Sequence, residues 1–182
     1  MDTPRTLSAL DITDDDHVLG DPHCGLILLE YGDYECSFCG HAHRVVKQLQ
    51  RELGKNMCFV FRHFPLRGVH RHSENAAEAA EAVEEHGDFW TMHDLLFENQ
   101  DTLSDADLME YGFEAGMNPD ELSRDLASHT YYPGVQRDVL SGMQIGVKGT
   151  PTFFINGQRH DGGHSFQSLL DAIELARQAH AH

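Results

Sequence analysis

Short apolar runs and longer segments with helical spacing alternate along the chain. Residues 26–31 are an apolar run between two glycines, which is typical of a buried strand. From Ser37 onward the apolar positions follow helical spacing until Gly54, a residue type that commonly ends helices. Residues 57–61 are again apolar and β-prone, so this part of the chain is predicted to form strand, helix, strand. Residues 1–20 before it are predicted to be a loose arm.

Residues 71–128 differ in character, because small and apolar residues recur there at helical spacing. Asp88, Ser104 and Asn118 each precede such a stretch, and all three are residue types that cap helix N-termini. We therefore predict a block of several helices, followed by a further helix over residues 131–146.

The C-terminal part of the chain returns to short strands. Residues 152–155 are predicted to form one strand and residues 158–160 its partner, joined by a hairpin turn at Asn156 and Gly157. Apolar positions from Phe166 onward predict a closing helix. Without the helical block, a βαβ unit is followed by a ββα unit. This order predicts an α/β fold with a mixed central sheet flanked by helices.

The same changes in pattern divide the chain of 182 residues into four parts. Residues 1–16 are the N-terminal arm, and residues 17–68 are the first half of the α/β unit. Residues 69–130 are the inserted helical domain. Residues 131–182 are the connecting helix and the second half of the α/β unit. The length suits one domain with an insertion.

The charge of the chain narrows its possible partners. The formal net charge of -17 argues against nucleic acid and anionic membranes as partners, since both require a basic face.

No apolar stretch approaches the roughly 20 residues that span a bilayer. The first residues lack the pattern of a secretion signal. We expect a monomer in the cytoplasm, with a periplasmic or exported location as the alternative if a signal precedes this chain.

Two of the four cysteines are spaced for redox chemistry. Cys36 and Cys39 form a Cys-x-x-Cys motif directly after the first strand and at the start of a helix. The unpaired N–H groups and partial positive charge of a helix N-terminus lower the pKa of a thiol there. Two intervening residues place the second sulfur one turn further on, where it can resolve a mixed disulfide. We predict that Cys36 is an exposed nucleophile and Cys39 a shielded resolving thiol.

Three acids precede the cysteines. Asp33 and Glu35 lie close to Cys36, and their negative charge should raise its pKa. Glu30 lies on the apolar face of the first strand, where burial would raise its pKa and let it take a proton from Cys39. The alternative is that Glu30 reaches water or pairs with a base.

Four further residues are candidates for substrate binding. Ser37 and Phe38 lie between the cysteines, where they also influence thiolate stability. Pro151 precedes a predicted strand, and a bond before proline is the only realistic place for a cis peptide. In that case the backbone of Thr150 is free to pair with an extended peptide. The alternative is an ordinary trans proline that opens a strand.

The other cysteines and the histidines are predicted to be structural or solvated. Cys58 lies in an apolar strand and is predicted to be a buried, inert thiol. Cys24 is predicted to be a free thiol in a loop, with a regulatory disulfide as the alternative. His63 is predicted to be structural. The remaining histidines lack paired ligand sets at zinc-site spacing, so no metal site is predicted. The closest pairs, predicted to be solvated, are His41 with His43 and His70 with His72.

Three strings in this order resemble the DsbA-like branch of the thioredoxin superfamily, from about residue 17 to the C-terminus. They are Glu30-Tyr31-Gly32-Asp33-Tyr34-Glu35-Cys36-Ser37-Phe38-Cys39, Phe61-Arg62-His63-Phe64-Pro65-Leu66 and Gly149-Thr150-Pro151-Thr152-Phe153-Phe154-Ile155-Asn156-Gly157. The resemblance implies a thioredoxin fold in which the helical block is the inserted domain and helps to form a substrate groove.

The resemblance also implies roles for the site residues. Cys36 is the nucleophile and Cys39 the resolving thiol. Pro151 is a cis proline facing them, and Thr150 binds the peptide. Glu30 falls where this family commonly carries a buried acid, which favours its functional role over the alternative.

The function predicted is that of a thiol–disulfide oxidoreductase acting on protein or peptide thiols and disulfides, without a cofactor and with an unidentified redox partner. The Ser37-Phe38 dipeptide differs from the Pro-His of strongly oxidising members, so oxidase, reductase and isomerase remain open. Two alternatives belong to other classes. One is a zinc or iron–sulfur protein that joins Cys36 and Cys39 to Cys58 or a histidine. The other is a non-catalytic thioredoxin-like binding module.

Overall fold

Five strands form one mixed sheet in this computed structural model, which describes residues 10–180. The strands are β1 (His17–Leu19), β2 (Ile27–Gly32), β3 (Cys58–His63), β4 (Thr152–Ile155) and β5 (Gln158–His160). They lie in the order β1–β3–β2–β4–β5. The central pair β2 and β3 is parallel, and the other neighbours are antiparallel. This arrangement confirms the predicted thioredoxin fold.

Seven α-helices accompany the sheet within the described residues. They are α1 (Ser37–Leu53), α2 (Ser73–His86), α3 (Phe89–Glu98), α4 (Asp105–Glu114), α5 (Pro119–Ser128), α6 (Tyr132–Gln144) and α7 (Phe166–His180), with a 3₁₀ turn at Gly54–Asn56. The predicted caps are confirmed. Asp88 and Asn118 accept backbone N–H groups of α3 and α5, and Ser104 forms a capping box with Asp107 at α4. Within residues 10–180, no helix has the length and apolar composition that crossing a membrane requires.

The N-terminal arm contains a strand that the sequence pattern did not reveal. His17–Leu19 pairs antiparallel with β3, with His17 opposite Phe61 and Leu19 opposite Phe59. The prediction of a loose arm through residue 20 is therefore wrong for these residues. Three residues are too few to show a period, and the strand exists because β3 offers it an open edge. Residues 1–9 of the predicted arm lie outside the described residues.

The sheet separates two apolar clusters, because successive side chains of a strand point to opposite faces. One cluster contains Leu28 and Phe61 and packs under α1, α7 and the helical block. The other contains Leu29 and Val60 and packs against residues of α6. Glu30 is two residues from Leu28 and therefore lies on the same face of β2, towards α1.

Several histidines lie inside the first cluster rather than in solvent. His43 and His93 are 5% and 2% exposed, and His93 contacts Phe61 at 4.5 Å between ring centroids. The prediction that His43 is solvated is wrong. Helical spacing places His43 on the buried side of α1, where it stacks on Phe97 at 5.0 Å.

A buried ion pair fixes the start of β1 to β3. Arg62 Nε lies 2.6 Å from Asp16 Oδ1, and a second guanidinium nitrogen lies 2.9 Å from Asp16 Oδ2. The same guanidinium donates to the Tyr31 hydroxyl at 2.9 Å. Both charged side chains are almost fully covered, with 5% and 4% exposed. Since the pair is buried and bidentate, removing either partner would remove a strong charge-assisted interaction from the interior.

We predict that Asp16→Asn lowers the free energy of unfolding by about 3 kcal/mol, since it removes the buried carboxylate that contacts two nitrogens of the Arg62 guanidinium. The matched control is Asp15→Asn. Asp15 is 65% exposed and lies 3.7 Å from Arg137, so its loss should cost less than about 1 kcal/mol. Urea unfolding followed by far-UV circular dichroism measures both. Equal effects of the two substitutions would contradict this role of Asp16.

Candidate active site

Cys36 is the N-cap residue of α1, immediately beyond the central strand β2. Its backbone is extended, and its carbonyl accepts the first intrahelical bond, from Gly40 N at 3.0 Å. No side chain caps this helix end. The free N–H groups of the first turn are therefore available to a negatively charged sulfur.

The two sulfurs of the motif have opposite acidities. The pKa of Cys36 is lowered to about 5, first by a hydrogen bond from the Cys39 thiol and then by Thr150 and the backbone N–H groups of Cys39 and Phe38, against the effect of burial. Burial raises the pKa of Cys39 well above its usual range, and its hydrogen bond to Cys36 adds to this. Neither sulfur forms a disulfide in this structure. The pair thus holds one thiolate and one thiol.

The loop before β4 covers Cys36. Cys36 Sγ lies 3.5 Å from the carbonyl oxygen of Thr150, and the peptide bond between Thr150 and Pro151 is cis. Cys36 is only 5% exposed, so the prediction of an exposed nucleophile is wrong in degree: this loop lies over the sulfur. The exposed residues of the motif are Ser37 and Phe38, the latter at 72%.

Glu30 is buried beneath the cysteine pair. It is 1% exposed, and its Oε1 has no hydrogen-bond partner. Burial, and then the nearby charge of Cys36, raise the pKa of Glu30 to about 8. The alternative in which Glu30 reaches water or pairs with a base is therefore wrong. Its charge in turn helps to raise the pKa of Cys39, so the two groups influence each other's protonation.

The carboxylate of Asp33 is fixed by three hydrogen-bonding groups close to it in the fold. Its Oδ1 accepts the backbone N–H of Glu35 at 2.8 Å. Its Oδ2 lies 2.8 Å from both Leu66 N and His70 Nδ1. The negative charge of Asp33 should raise the pKa of Cys36, but the hydrogen bonds to the Cys36 sulfur outweigh it and the pKa is lowered. The hydrogen bonds to Asp33 spread its charge over three donors.

Gln100, which follows α3, is a site residue that the sequence gave no reason to suspect. Its Nε2 donates to the carbonyls of Tyr34 and Cys36, each at 2.8 Å. It also lies against Gly40, where a Cβ would meet Gln100 Oε1 at 2.0 Å. The residue comes from the inserted helical block and is separated from Cys36 by 64 positions, so no local pattern could reveal it.

The other two cysteines lie apart from the motif. Cys58 is fully buried on the opposite face of the sheet, and burial raises its pKa to about 11, with a further contribution from Cys24. The prediction of a buried Cys58 is confirmed. Cys24 is half-buried and donates to the carbonyl of Leu26 at 3.2 Å. Among the described residues, no group of three possible metal ligands includes either thiol of the Cys36 and Cys39 pair.

Comparison with curated proteins shows similarity to part of a larger protein. The chain is 40% identical over 163 residues to a protein named Na(+)/H(+) antiporter NhaA 1 of Salinispora arenicola. That match covers 90% of this chain and 25% of the antiporter, so this chain spans about a quarter of the length of such relatives. The antiporter name therefore describes a much longer protein and is not transferred here.

Family and structure comparisons agree on the fold. A family model described as thioredoxin matches residues 12–175. A thioredoxin-like oxidoreductase of Silicibacter pomeroyi superimposes with a TM-score of 0.79 at 25% identity, covering 91% of this chain and 94% of that one. The Wolbachia pipientis protein alpha-DsbA1 superimposes with a TM-score of 0.79 at 24% identity, covering 94% and 96%. The chain belongs to the thioredoxin family, with the DsbA-like form of its fold.

Proposed function

We propose that the protein exchanges disulfides with protein or peptide substrates through a mixed disulfide on Cys36, which Cys39 resolves. The observation that carries this proposal is the opposite acidity of two adjacent sulfurs at a helix N-terminus. A thiolate is the attacking and the leaving species in thiol–disulfide exchange. A shielded thiol beside it can capture the covalent adduct.

In the reducing direction, the Cys36 thiolate attacks one sulfur of a substrate disulfide, and the other substrate sulfur leaves as a thiolate. Cys39 then loses its proton, attacks Cys36 Sγ and releases the second substrate thiolate. The product is a Cys36–Cys39 disulfide and two substrate thiols after protonation. In the oxidising direction the same steps run in reverse.

Glu30 is proposed to hold the proton that Cys39 gives up and takes back. Cys39 is fully buried, so its proton needs a nearby acceptor that is not solvent. A carboxyl group with a pKa of about 8 is suited to exchange a proton near neutral pH. Glu30 has an oxygen without a hydrogen-bond partner, which is free to accept it.

The surroundings of the sulfur provide room for an extended chain. A cleft of about 490 Å³ reaches Ser37, and another of about 320 Å³ reaches Thr150 and Pro151. Phe38 presents its ring to solvent beside the nucleophile. We propose that substrate backbone pairs near Thr150 while an apolar substrate side chain packs on Phe38.

The acidity of Cys36 favours the oxidising direction. A stabilised thiolate stabilises the reduced form of the pair, which makes its disulfide the stronger oxidant. A pKa of about 5 for Cys36 falls between about 7 for thioredoxin and about 3.5 for DsbA. An oxidant of this kind suits an oxidising compartment, so a high potential would favour an exported location over the predicted cytoplasmic one.

We predict that the reduction potential of the Cys36–Cys39 pair lies between about −270 mV, the value for thioredoxin, and about −120 mV, the value for DsbA. The Cys24→Ser variant is equilibrated with glutathione buffers and quenched, and mass spectrometry measures the oxidised fraction of the Cys36–Cys39 pair. The substitution prevents Cys24 from reacting with glutathione. A potential at or below that of thioredoxin would show that the protein is a reductant.

We predict that Cys39→Ser accumulates a covalent mixed disulfide between Cys36 and a disulfide-containing peptide, because the resolving thiol is missing. Cys24→Ser is the matched control, since it removes a half-buried thiol outside the motif and should still turn over. Non-reducing gel electrophoresis and intact mass measure the adduct. No adduct on Cys36 in the Cys39→Ser variant would support a non-catalytic binding module instead.

We predict that Glu30→Gln slows resolution of the mixed disulfide by roughly tenfold or more, since Cys39 loses its proton acceptor. In the wild type the rate should rise with pH as Glu30 ionises. The midpoint should lie below the pKa of about 8, because the charge of Cys36 that raises it is absent in the mixed disulfide. Stopped-flow measurement of the resolution step gives both quantities.

The matched control is Glu78→Gln, which changes another glutamate that is 1% exposed, on α2 and outside the motif. It should leave the rate and its pH profile unchanged. An unchanged pH profile in Glu30→Gln would contradict the proposed proton transfer.

A further inference from the structure

We propose that His17, His63 and Glu81 form a binding site for a first-row divalent transition metal ion such as Zn²⁺, separate from the cysteine pair. The three residues come from β1, from the end of β3 and from α2. Their ligand atoms lie within 4.8 Å of one another. This inference is independent of the proposed redox function.

The two imidazoles approach one carboxylate oxygen from different directions. His17 Nε2 lies 2.7 Å and His63 Nε2 lies 3.1 Å from Glu81 Oε1. The two rings are 71° apart, with centroids separated by 5.4 Å. The ligands of a tetrahedral ion likewise approach it from different directions. For Zn–N distances of about 2.0 Å, the two imidazole nitrogens and the carboxylate oxygen would have to move only slightly apart.

His63 provides the observation that distinguishes this cluster from an ordinary ion pair. It is 1% exposed, and neither of its ring nitrogens has a hydrogen-bond partner. The 3.1 Å contact of Nε2 with Glu81 Oε1 falls outside hydrogen-bond geometry, although the charge of His63 still helps to lower the pKa of Glu81. A buried polar atom without a hydrogen-bond partner is costly in free energy. A metal ion between His63 Nε2 and Glu81 Oε1 would bind both atoms.

The surroundings hold the ligands in place. His17 stacks on Phe89, with ring planes 6° apart and centroids 3.6 Å apart. Its second nitrogen, Nδ1, lies 3.5 Å from Glu84 Oε2, so a carboxylate is near the nitrogen that would not bind the ion. The backbone N–H of His63 donates to Asp138 Oδ2 at 2.9 Å.

An acidic cleft gives a cation access to two of the three ligands. The cleft has a volume of about 500 Å³, and it reaches His17 and Glu81 from the surface. Asp14, Asp15, Glu84 and Glu85 line it together with one cation, Arg137, which lies 3.7 Å from Asp15. Asp16 also lines the cleft but is paired with Arg62. Negative walls of this kind raise the local concentration of cations.

The ligand set indicates the type of ion. Two imidazoles and one carboxylate are ligands that Zn²⁺ accepts, and they leave a fourth position for water. A second cluster, of His43, His93 and Asp94, is less suited, because Lys47 Nζ already lies 2.5 Å from Asp94 Oδ2. The first cluster is therefore the one we assign.

The test uses the Cys36→Ser/Cys39→Ser variant of the full chain, so that the active-site thiols cannot bind the ion. Calorimetric titration should show one equivalent of Zn²⁺ bound. At a free Zn²⁺ concentration 100-fold above the dissociation constant, the melting temperature should rise by roughly 5–10 °C. Co²⁺ should give visible absorption without the near-ultraviolet band of sulfur-to-cobalt charge transfer.

Adding His63→Gln to that variant should weaken Zn²⁺ binding at least tenfold, and His17→Gln provides a second variant should the first fail to fold. The matched control is His129→Gln. His129 also lies 2.9 Å from a glutamate oxygen, that of Glu78, but without a second histidine. Absence of Zn²⁺ binding, a sulfur-to-cobalt band, or equal weakening by His129→Gln would overturn the proposal.

Discussion

The electrostatic interaction between the two sulfurs of the motif is the one on which the rest of the site depends. It lowers the pKa of Cys36 and helps to raise the pKa of Cys39. One sulfur is therefore ionised while the other stays protonated. The elements around the pair support this division. The start of α1 favours the negative sulfur, and the core of the α/β unit encloses the neutral one.

Burial has a second effect at this site, because it raises the pKa of a neighbouring acid. Glu30 lies on the face of β2 that packs towards α1, and the interior raises its pKa without a base to lower it. Asp33, three residues further on, is treated differently by the fold: its carboxylate accepts several hydrogen bonds. Neighbouring acids in one segment thus have different chemistry because their surroundings differ.

Features that depend on local spacing could be predicted from the sequence, and those that depend on distant contacts could not. The cap at Asp88, the hairpin at Asn156 and the position of Cys36 at a helix start all follow from neighbouring residues. The strand at His17 exists only through its pairing with β3, and Gln100 reaches the site from another part of the chain. Burial of histidines likewise depends on tertiary packing.

The contact of Gln100 with the carbonyls of Tyr34 and Cys36 has a consequence for how the two parts of the chain can evolve. The inserted helices thus stabilise the turn that contains Cys36 through two hydrogen bonds from Gln100. Shortening or exchanging that block would remove the hydrogen bonds to those carbonyls and so change the surroundings of Cys36 without any change in the motif. The Cys36 and Cys39 motif and the inserted helices should therefore be inherited together.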